Sequence, residues 1–592
     1  MNHKFHIPVL GLGYSIDTPL KVAKYGISSV VSVVDDELIE RMREYHSKQN
    51  GENFTPIAKK DADSRQRRIT AYLNLLNKLV DKQFEQLRSE PFEEGSDICR
   101  YFDLLPESSP LKQGYDLMAD FPEKRSKQIF GERLRKRMTK GAIDVNIMSK
   151  VDKMNYDANR EFTGEENTDA LAALRGFALS DLSSSVILSA GMNPRLYSYI
   201  ESFPDFVPGN SGISRKKIIL KVSDFRSGLI QAKFLAKKGL WVSEFRIESG
   251  LNCGGHAFAS DGYLLGPVLE EFKNKREELY IELYNMYKAA LAGKGVTLTA
   301  MPSQRISVQG GIGTADENNF LLTYYQLDKT GWGSPFLLVP EATNVDDDTL
   351  KQLENAGQDD FYLSNSSPLG ILFNSFKGSS SEKQRLERIN KGRPGSPCTK
   401  KYLQSNTEFT EQPICTASRE YQNLKIKQIK ALGLPAEEYD RQINAVTEKI
   451  CLCEGLCSAI YLKYGLSKPK ENKAVTICPG PNLAYFSRIY TLDEMVKHIY
   501  GSLDLLQNVK RPHVFINELN LYIDYFQKEL SAHVKNFNDK KQKYLLKFKT
   551  ELETGISYYK QLFPQLASQT QSLAAILEDL YNAEKKLSGI NL

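Results

Sequence analysis

Apolar positions along this chain recur with two periods, and the switches between them mark its elements. The opening FHIPVLGLGYSIDTPLKVAKYGISSVVS reads strand, glycine turn, helix, strand. Ile7 to Leu10 form a short apolar run, and Gly11 and Gly13 permit a tight turn. Asp17 or Thr18 then caps a helix with Pro19 at its first position. Val30 to Val34 follow as a β-branched stretch, which completes a βαβ unit. Strand-like runs return at Ala142–Met148 and Ser185–Leu188, separated by a polar loop around Thr163–Thr168. The clearest unit spans residues 217–247: KIILKV is a buried strand, DFRSGLIQAKFLAKKG is an Asp-capped helix stopped by Gly239, and LWVSEFRI is the next strand. The helix LEEFKNKREELYIELYNMYKAALAGKG follows, then the strand RISVQ, the loop GGIGT, the helix ADENNFLLTYYQL and the strand FLLVP. Strands and helices alternating on this scale predict a parallel α/β architecture with right-handed crossovers.

Two stretches depart from the alternation. Residues 36–140 carry helical periodicity and dense charge, as in ITAYLNLLNKLVDKQFEQL, and read as a helical insertion. From about residue 505 the pattern is purely helical. Leu519, Ile523, Phe526, Leu530, Val534 and Phe537 share one face, and a second helix around Gln571–Leu587 is expected to pair with it. That face either packs on the barrel core or forms an oligomer interface.

Composition changes the picture little. The 592 residues are 41% hydrophobic and 26% charged, as in an ordinary globular protein. No apolar run approaches the roughly 20 residues of a membrane span. The N-terminus lacks a secretory pattern, so a cytoplasmic location is the default expectation. The net charge of +5 does not argue for nucleic acid as a partner, and Arg65–Arg68 and Arg133–Arg137 read as solvated helix faces.

Candidate chemistry lies in the glycine loops and one histidine. Gly310–Thr314 ends a strand and opens a helix, where backbone N–H groups and the helix dipole favour a phosphate. Gly331, Gly333 and Ser334, before the next strand, would supply the other half of such a site. In eight-stranded barrels, phosphate sites commonly use the loops after strands seven and eight. The dinucleotide fingerprint is incomplete, because Ile16 stands where its third glycine belongs. His256, in RIESGLNCGGHAF, follows a predicted strand, and its imidazole suits proton exchange beside a carbonyl or nitro group. Gly254 and Gly255 would let a flat cofactor lie against the backbone.

In order along residues 5–505 these segments resemble the nitronate monooxygenase (2-nitropropane dioxygenase)-like family of FMN enzymes. PVLGLGYSIDTPLKVAKYG is similar to its first strand, whose backbone contacts the flavin, which makes Gly11 and Gly13 cofactor-binding candidates, and IDVNIM to the motif that places an asparagine, here Asn146, near FMN. VILSAGMNP resembles its Ser-Phe-Gly segment and places Ser189 and Gly191 near the flavin face. Lys221 falls where a polar residue approaches the ring, and ESGLNCGGHAF resembles the Glu-Ala-Gly-Gly-His motif, lengthened here by Leu-Asn-Cys. VQGGIGT and GWGSPFLLVPE resemble the two phosphate loops, and CPGPNLAYFSRIYTLDEMVKHIYG the terminal segment.

The resemblance implies a (β/α)₈ TIM barrel binding FMN, nearer the acyl-carrier dehydrogenase/isomerase and polyketide enoyl-reductase branch than the simple nitronate oxidases. It implies proton exchange at His256, hydride exchange at flavin N5, and Lys221 offsetting negative charge on the reduced flavin. The substrate would be a carbon acid, such as a nitronate or an acyl thioester, small or carried on an acyl carrier. Members of that branch can hold a cysteine-bound iron–sulfur cluster. Here Cys398, Cys415, Cys451, Cys453, Cys457 and Cys478 could supply thiolates, or serve as small buried residues.

The organisation expected is barrel over 1–35, helical insertion over 36–140, remaining barrel over 141–390, a cysteine-containing helical subdomain over 391–505, and a helical hairpin over 506–592. Two other functions remain open on these residues. One is a degenerate, non-catalytic barrel that binds a partner. The other is an RNA-modifying flavoenzyme, which would need a basic channel.

Overall fold

The computed structural model describes residues 3–149, 152–157, 159, 161–189, 191–209, 213–252, 255–256, 261–533, 539–566 and 573–590. Eight parallel strands follow one another around a closed barrel: β1 (Phe5–Ile7), β2 (Ser28–Ser32), β3 (Ile143–Asn146), β4 (Ser185–Leu188), β5 (Lys217–Val222), β6 (Val242–Glu248), β7 (Arg305–Gln309) and β8 (Lys329–Gly331). Closure is by β8 on β1, with Phe5 opposite Thr330 and His6 opposite Gly331. This is the (β/α)₈ barrel expected.

Strand alternation sorts the interior into layers. On β6, Phe245 points outward and meets the ring of Phe272 on the helix Leu265–Asn274, with centroids 5.8 Å apart. Glu244, Arg246 and Glu248 have the opposite parity. Deep in the barrel, Glu244 and Arg246 are each 1% exposed and paired at 2.7 Å, with Ser307 Oγ also donating to Glu244 at 2.7 Å. Burial opposes ionisation of Glu244, but Arg246, then Lys329 and Arg305, outweigh it and hold its pKa well below the usual carboxylate range. Val30, Ile187 and Ile219 form a small apolar group of their own, with Val9 against it.

Both end strands differ from expectation. The first lies at Phe5–Ile7 rather than 7–10, since Pro8 has no N–H to give a ladder and the chain turns away there. FLLVP is not a strand: Ser334–Leu338 is a 3₁₀ helix with Pro335 in its first turn, and β8 is the preceding Lys-Thr-Gly. A short buried apolar run does not by itself distinguish a strand from a helical turn.

Between β2 and β3 lie the helices Asp36–Gln49, Ser64–Ser89, Asp97–Asp103, Pro110–Ala119 and Lys124–Arg137. Arg65 and Arg68 are not a solvated face. Both pair with Asp36, at 2.9 and 2.8 Å, and Arg65 also donates to Val34 O at 3.0 Å, which fastens the insertion to the segment just after β2. Arg133, Lys136 and Arg137 are exposed.

The end of the chain carries three helices among the described residues, Val514–His533, Asp539–Leu562 and Leu573–Ser588, where a hairpin was expected. Leu519, Ile523 and Phe526 are fully buried, and Phe526 stacks on Phe548. Those three positions pack within the chain, as one of the two expectations had it; Val534, Phe537 and Gln571 lie outside the described residues. No helix among the described residues is long and apolar enough to cross a membrane.

Candidate functional site

A cavity opens at the carboxyl ends of the strands, the usual site of chemistry in this architecture. Ser32, Asn146, Ser189, Lys221, Glu248 and Gln309 reach it from six different strands or the residues just after them. Leu369, Ile371 and Phe373 cover one side, and Tyr402, Leu403, Leu452, Cys453 and Leu456 another. The space between atoms is about 1120 Å³, open mouth included.

Its floor is a hydrogen-bonded network. Glu248 Oε1 accepts from Lys221 Nζ at 3.1 Å, Asn252 Nδ2 at 2.8 Å and Gln309 Nε2 at 2.6 Å. Gln309 Oε1 in turn lies 3.3 Å from His6 Nε2. The Lys221 ammonium is therefore shared with a carboxylate before any ligand arrives.

His256 faces this cavity. Its Nε2 lies 2.8 Å from Ser367 Oγ, and its ring meets Phe373 edge-on at 5.5 Å. The neighbouring backbone is held too, by Asn374 N donating to Gly255 O at 2.9 Å. Phe373 belongs to an antiparallel ribbon, Phe361–Ser364 with Phe373–Phe376, that the hydropathy pattern does not single out. Gly255 is required by this packing: its φ is +94°, and a Cβ would sit 2.5 Å from the Phe373 ring. Gly254 lies outside the described residues.

The two glycine loops converge. Gly310, Gly311 and Ile312 line a second, smaller cavity together with Gly331, Gly333, Ser334 and Asn482. A Cβ on Gly331 would meet Gln309 Cβ at 2.6 Å, so this cradle exists only with glycine there. Asn252 lines both cavities, and its Oδ1 is buried with no hydrogen-bond partner among the described residues. An acceptor left unmet between an anion-sized cradle and a wider chamber fits a ligand with hydroxyl donors between its phosphate and its ring.

Some expected residues take other roles. Gly11 lines the large cavity, but Gly13 N donates to Leu456 O at 3.1 Å and packs on the helix Leu452–Lys463. Gly313 is withdrawn from the cradle, its N–H going to Glu317 Oε2 at 2.8 Å. Ser334 stays in the cradle, its Oγ accepting from Gly480 N at 3.1 Å. Ser189 reaches the cavity, hydrogen-bonded to Ser149, while Gly191 is exposed. Glu248, Asn252 and Gln309 were not selected from the sequence as site residues. Glu248 and Asn252 lie in the ESGLNCGGH motif and Gln309 just before the glycine loop, but nothing in those motifs marks these three as polar contacts of one site.

The cysteines do not form a metal-binding group among the described residues. Cys457 Sγ donates to Asp35 Oδ2 at 3.2 Å, and burial pushes the Cys451 thiol up to about 12. A hydrogen bond from Cys415 holds the Cys398 thiol below its usual range. Asp35, in the link after β2, also caps the helix Asp36–Gln49, accepts from Tyr402 OH at 3.1 Å and pairs with Lys400. These contacts tie the covering segment to the barrel.

No protein-family model matches the sequence, and no curated protein matches it. Among solved structures, the enoyl reductase domain of MlnA from the macrolactin biosynthesis cluster of Bacillus amyloliquefaciens is 15% identical, with 74% of this chain and 89% of that one covered at a TM-score of 0.34. FabK from Thermotoga maritima is 10% identical (65% and 82% covered, TM-score 0.32). Nitroalkane oxidase from Streptomyces ansochromogenes is 10% identical (85% and 95% covered, TM-score 0.32). These are likenesses at low identity; the barrel itself is read from the strand order above.

Proposed function

We propose that this chain is an FMN-dependent oxidoreductase acting on a carbon acid such as an acyl thioester or a nitronate. The observation that carries this reading is the convergence of the two glycine loops in one small cavity that shares Asn252 with the larger cavity holding His256. The ordered resemblance of the loop and strand-end motifs to the nitronate monooxygenase-like family supports it. Gly310, Gly311, Gly333 and Ser334 would hold the phosphate. Asn252 would meet ribityl hydroxyls, and Asn146, Lys221 and Gln309 would border the ring. When bound, FMN supplies two-electron redox chemistry at N5.

The protein's own part is orientation and proton exchange. His256 takes a proton from the substrate carbon, or returns one in the reverse direction. The Ser367 hydroxyl both donates and accepts, so it can keep its bond to Nε2 whichever ring nitrogen carries the proton. Lys221, anchored by Glu248, keeps a cation at the cavity floor. Leu369 and Ile371 on one side of the chamber and Leu456 on another exclude water, which strengthens each of these polar contacts.

Freshly purified full-length protein is expected to be yellow, with a flavin absorption spectrum and FMN released on denaturation. A colourless protein that also fails to bind added FMN would end this reading and favour a non-catalytic barrel.

A further inference from the structure

Three consecutive carbonyls of the glycine loop are taken by side chains from outside the barrel. Gly311 O accepts from Arg511 Nη2 at 2.5 Å, Ile312 O from Asn482 Nδ2 at 2.8 Å, and Gly313 O lies 2.8 Å from His498 Nε2. In a trans peptide the C=O and the following N–H point in opposite directions. Drawing Gly311 O toward Arg511 therefore turns the Ile312 N–H away from it, and Ile312 lines the small cavity.

Arg511 is not built to bind an anion itself. Its side chain is 2% exposed and fully engaged: Nη1 donates to Glu317 Oε1 at 2.6 Å and Nε to Asn482 Oδ1 at 2.8 Å. Burial opposes ionisation of Glu317, but Arg511 foremost overcomes it, so the pair is charged and neutral overall. A guanidinium has only donors, so Asn482 must turn its oxygen to Arg511 and thereby its NH₂ to Ile312 O. The same stretch of chain reaches the second loop, where Gly480 N–H donates to Ser334 Oγ.

We infer that residues 480–511 are part of the cofactor site, with Arg511 acting through Asn482 as the positioning residue that shapes the phosphate loop. This rests on the FMN reading above. It predicts an effect confined to the phosphate end of the ligand, which a general loss of packing would not produce.

The test is a fluorescence titration of flavin-stripped, full-length protein with FMN and, separately, with riboflavin, which lacks the phosphate. Wild type is expected to prefer FMN. Asn482→Ala should weaken FMN by about tenfold, the scale of one lost hydrogen bond, and leave riboflavin affinity unchanged, while its melting temperature falls because Arg511 Nε and Ile312 O lose their partner. Arg511→Lys keeps a charge opposite Glu317 but loses the planar fork, and should weaken FMN selectively as well. If FMN and riboflavin weaken together, or if FMN affinity is unchanged in the folded Asn482→Ala protein, the inference is overturned. A wild type that binds neither flavin overturns the FMN reading beneath it.

Discussion

Replacing His256 with alanine is expected to lower kcat by roughly 10²- to 10⁴-fold, the usual contribution of a positioned acid–base group, with FMN still bound. The phosphate cradle is built from Gly310, Gly311, Ile312, Gly331, Gly333, Ser334 and Asn482, and His256 is not among its lining residues. Turnover and flavin content should therefore separate. Parallel assays on a nitronate and on an acyl thioester, with flavin quantified spectroscopically in the same samples, would check this. Ser367→Ala removes the partner of Nε2 but not the base, so its loss should be smaller and should shift the pH–rate profile. An alanine variant that turns over at the wild-type rate would remove His256 from the chemistry.

The second large effect concerns stability. Glu244→Ala leaves buried Arg246 with only Asp144, 3.9 Å away, and breaking a buried pair this way costs about 3–5 kcal/mol. Lys329, whose pKa burial already pulls down to about 8, relieves part of that cost by giving up its proton. The pH dependence has a definite sign. The folded-state pKa of Glu244 lies below its ordinary 4.5, so its stabilisation is fully present above pH 4.5. It is lost as pH falls from there toward the depressed value. Denaturant unfolding at pH 7 should show the full difference between wild type and variant, and the gap should narrow below pH 4.5. A gap that widens on acidification would contradict this assignment.

How much could be seen in the sequence follows from where the physical signal is local. The strands β4 to β7 were legible because apolar runs such as KIILKV are bounded by an Asp cap or a glycine turn. The strand β8 was not, because Lys-Thr-Gly carries no apolar signal; its lysine is buried near Glu244, a partner only the closed barrel reveals. Gly310, Gly311 and Gly333 announced themselves as loop residues at strand ends. Gln309 and Asn252 did not, since a polar residue closing a strand, or sitting in the lengthened loop after one, looks ordinary at that place. Asn482 and Arg511 lie roughly 170 and 200 positions from the carbonyls they hold, and no window of sequence can join them to those atoms.

The roof over the barrel mouth has a consequence for biosynthesis. All eight strands have been translated by Gly331, yet the covering residues come from positions 369–456 and the far side of the glycine loop from 482–511. A ribosome-bound chain interrupted between these points would present an uncovered, half-walled bowl. On the FMN reading proposed above, flavin loading would belong to the released polypeptide, and a truncated product ending near residue 360 should emerge colourless even if its strands have paired.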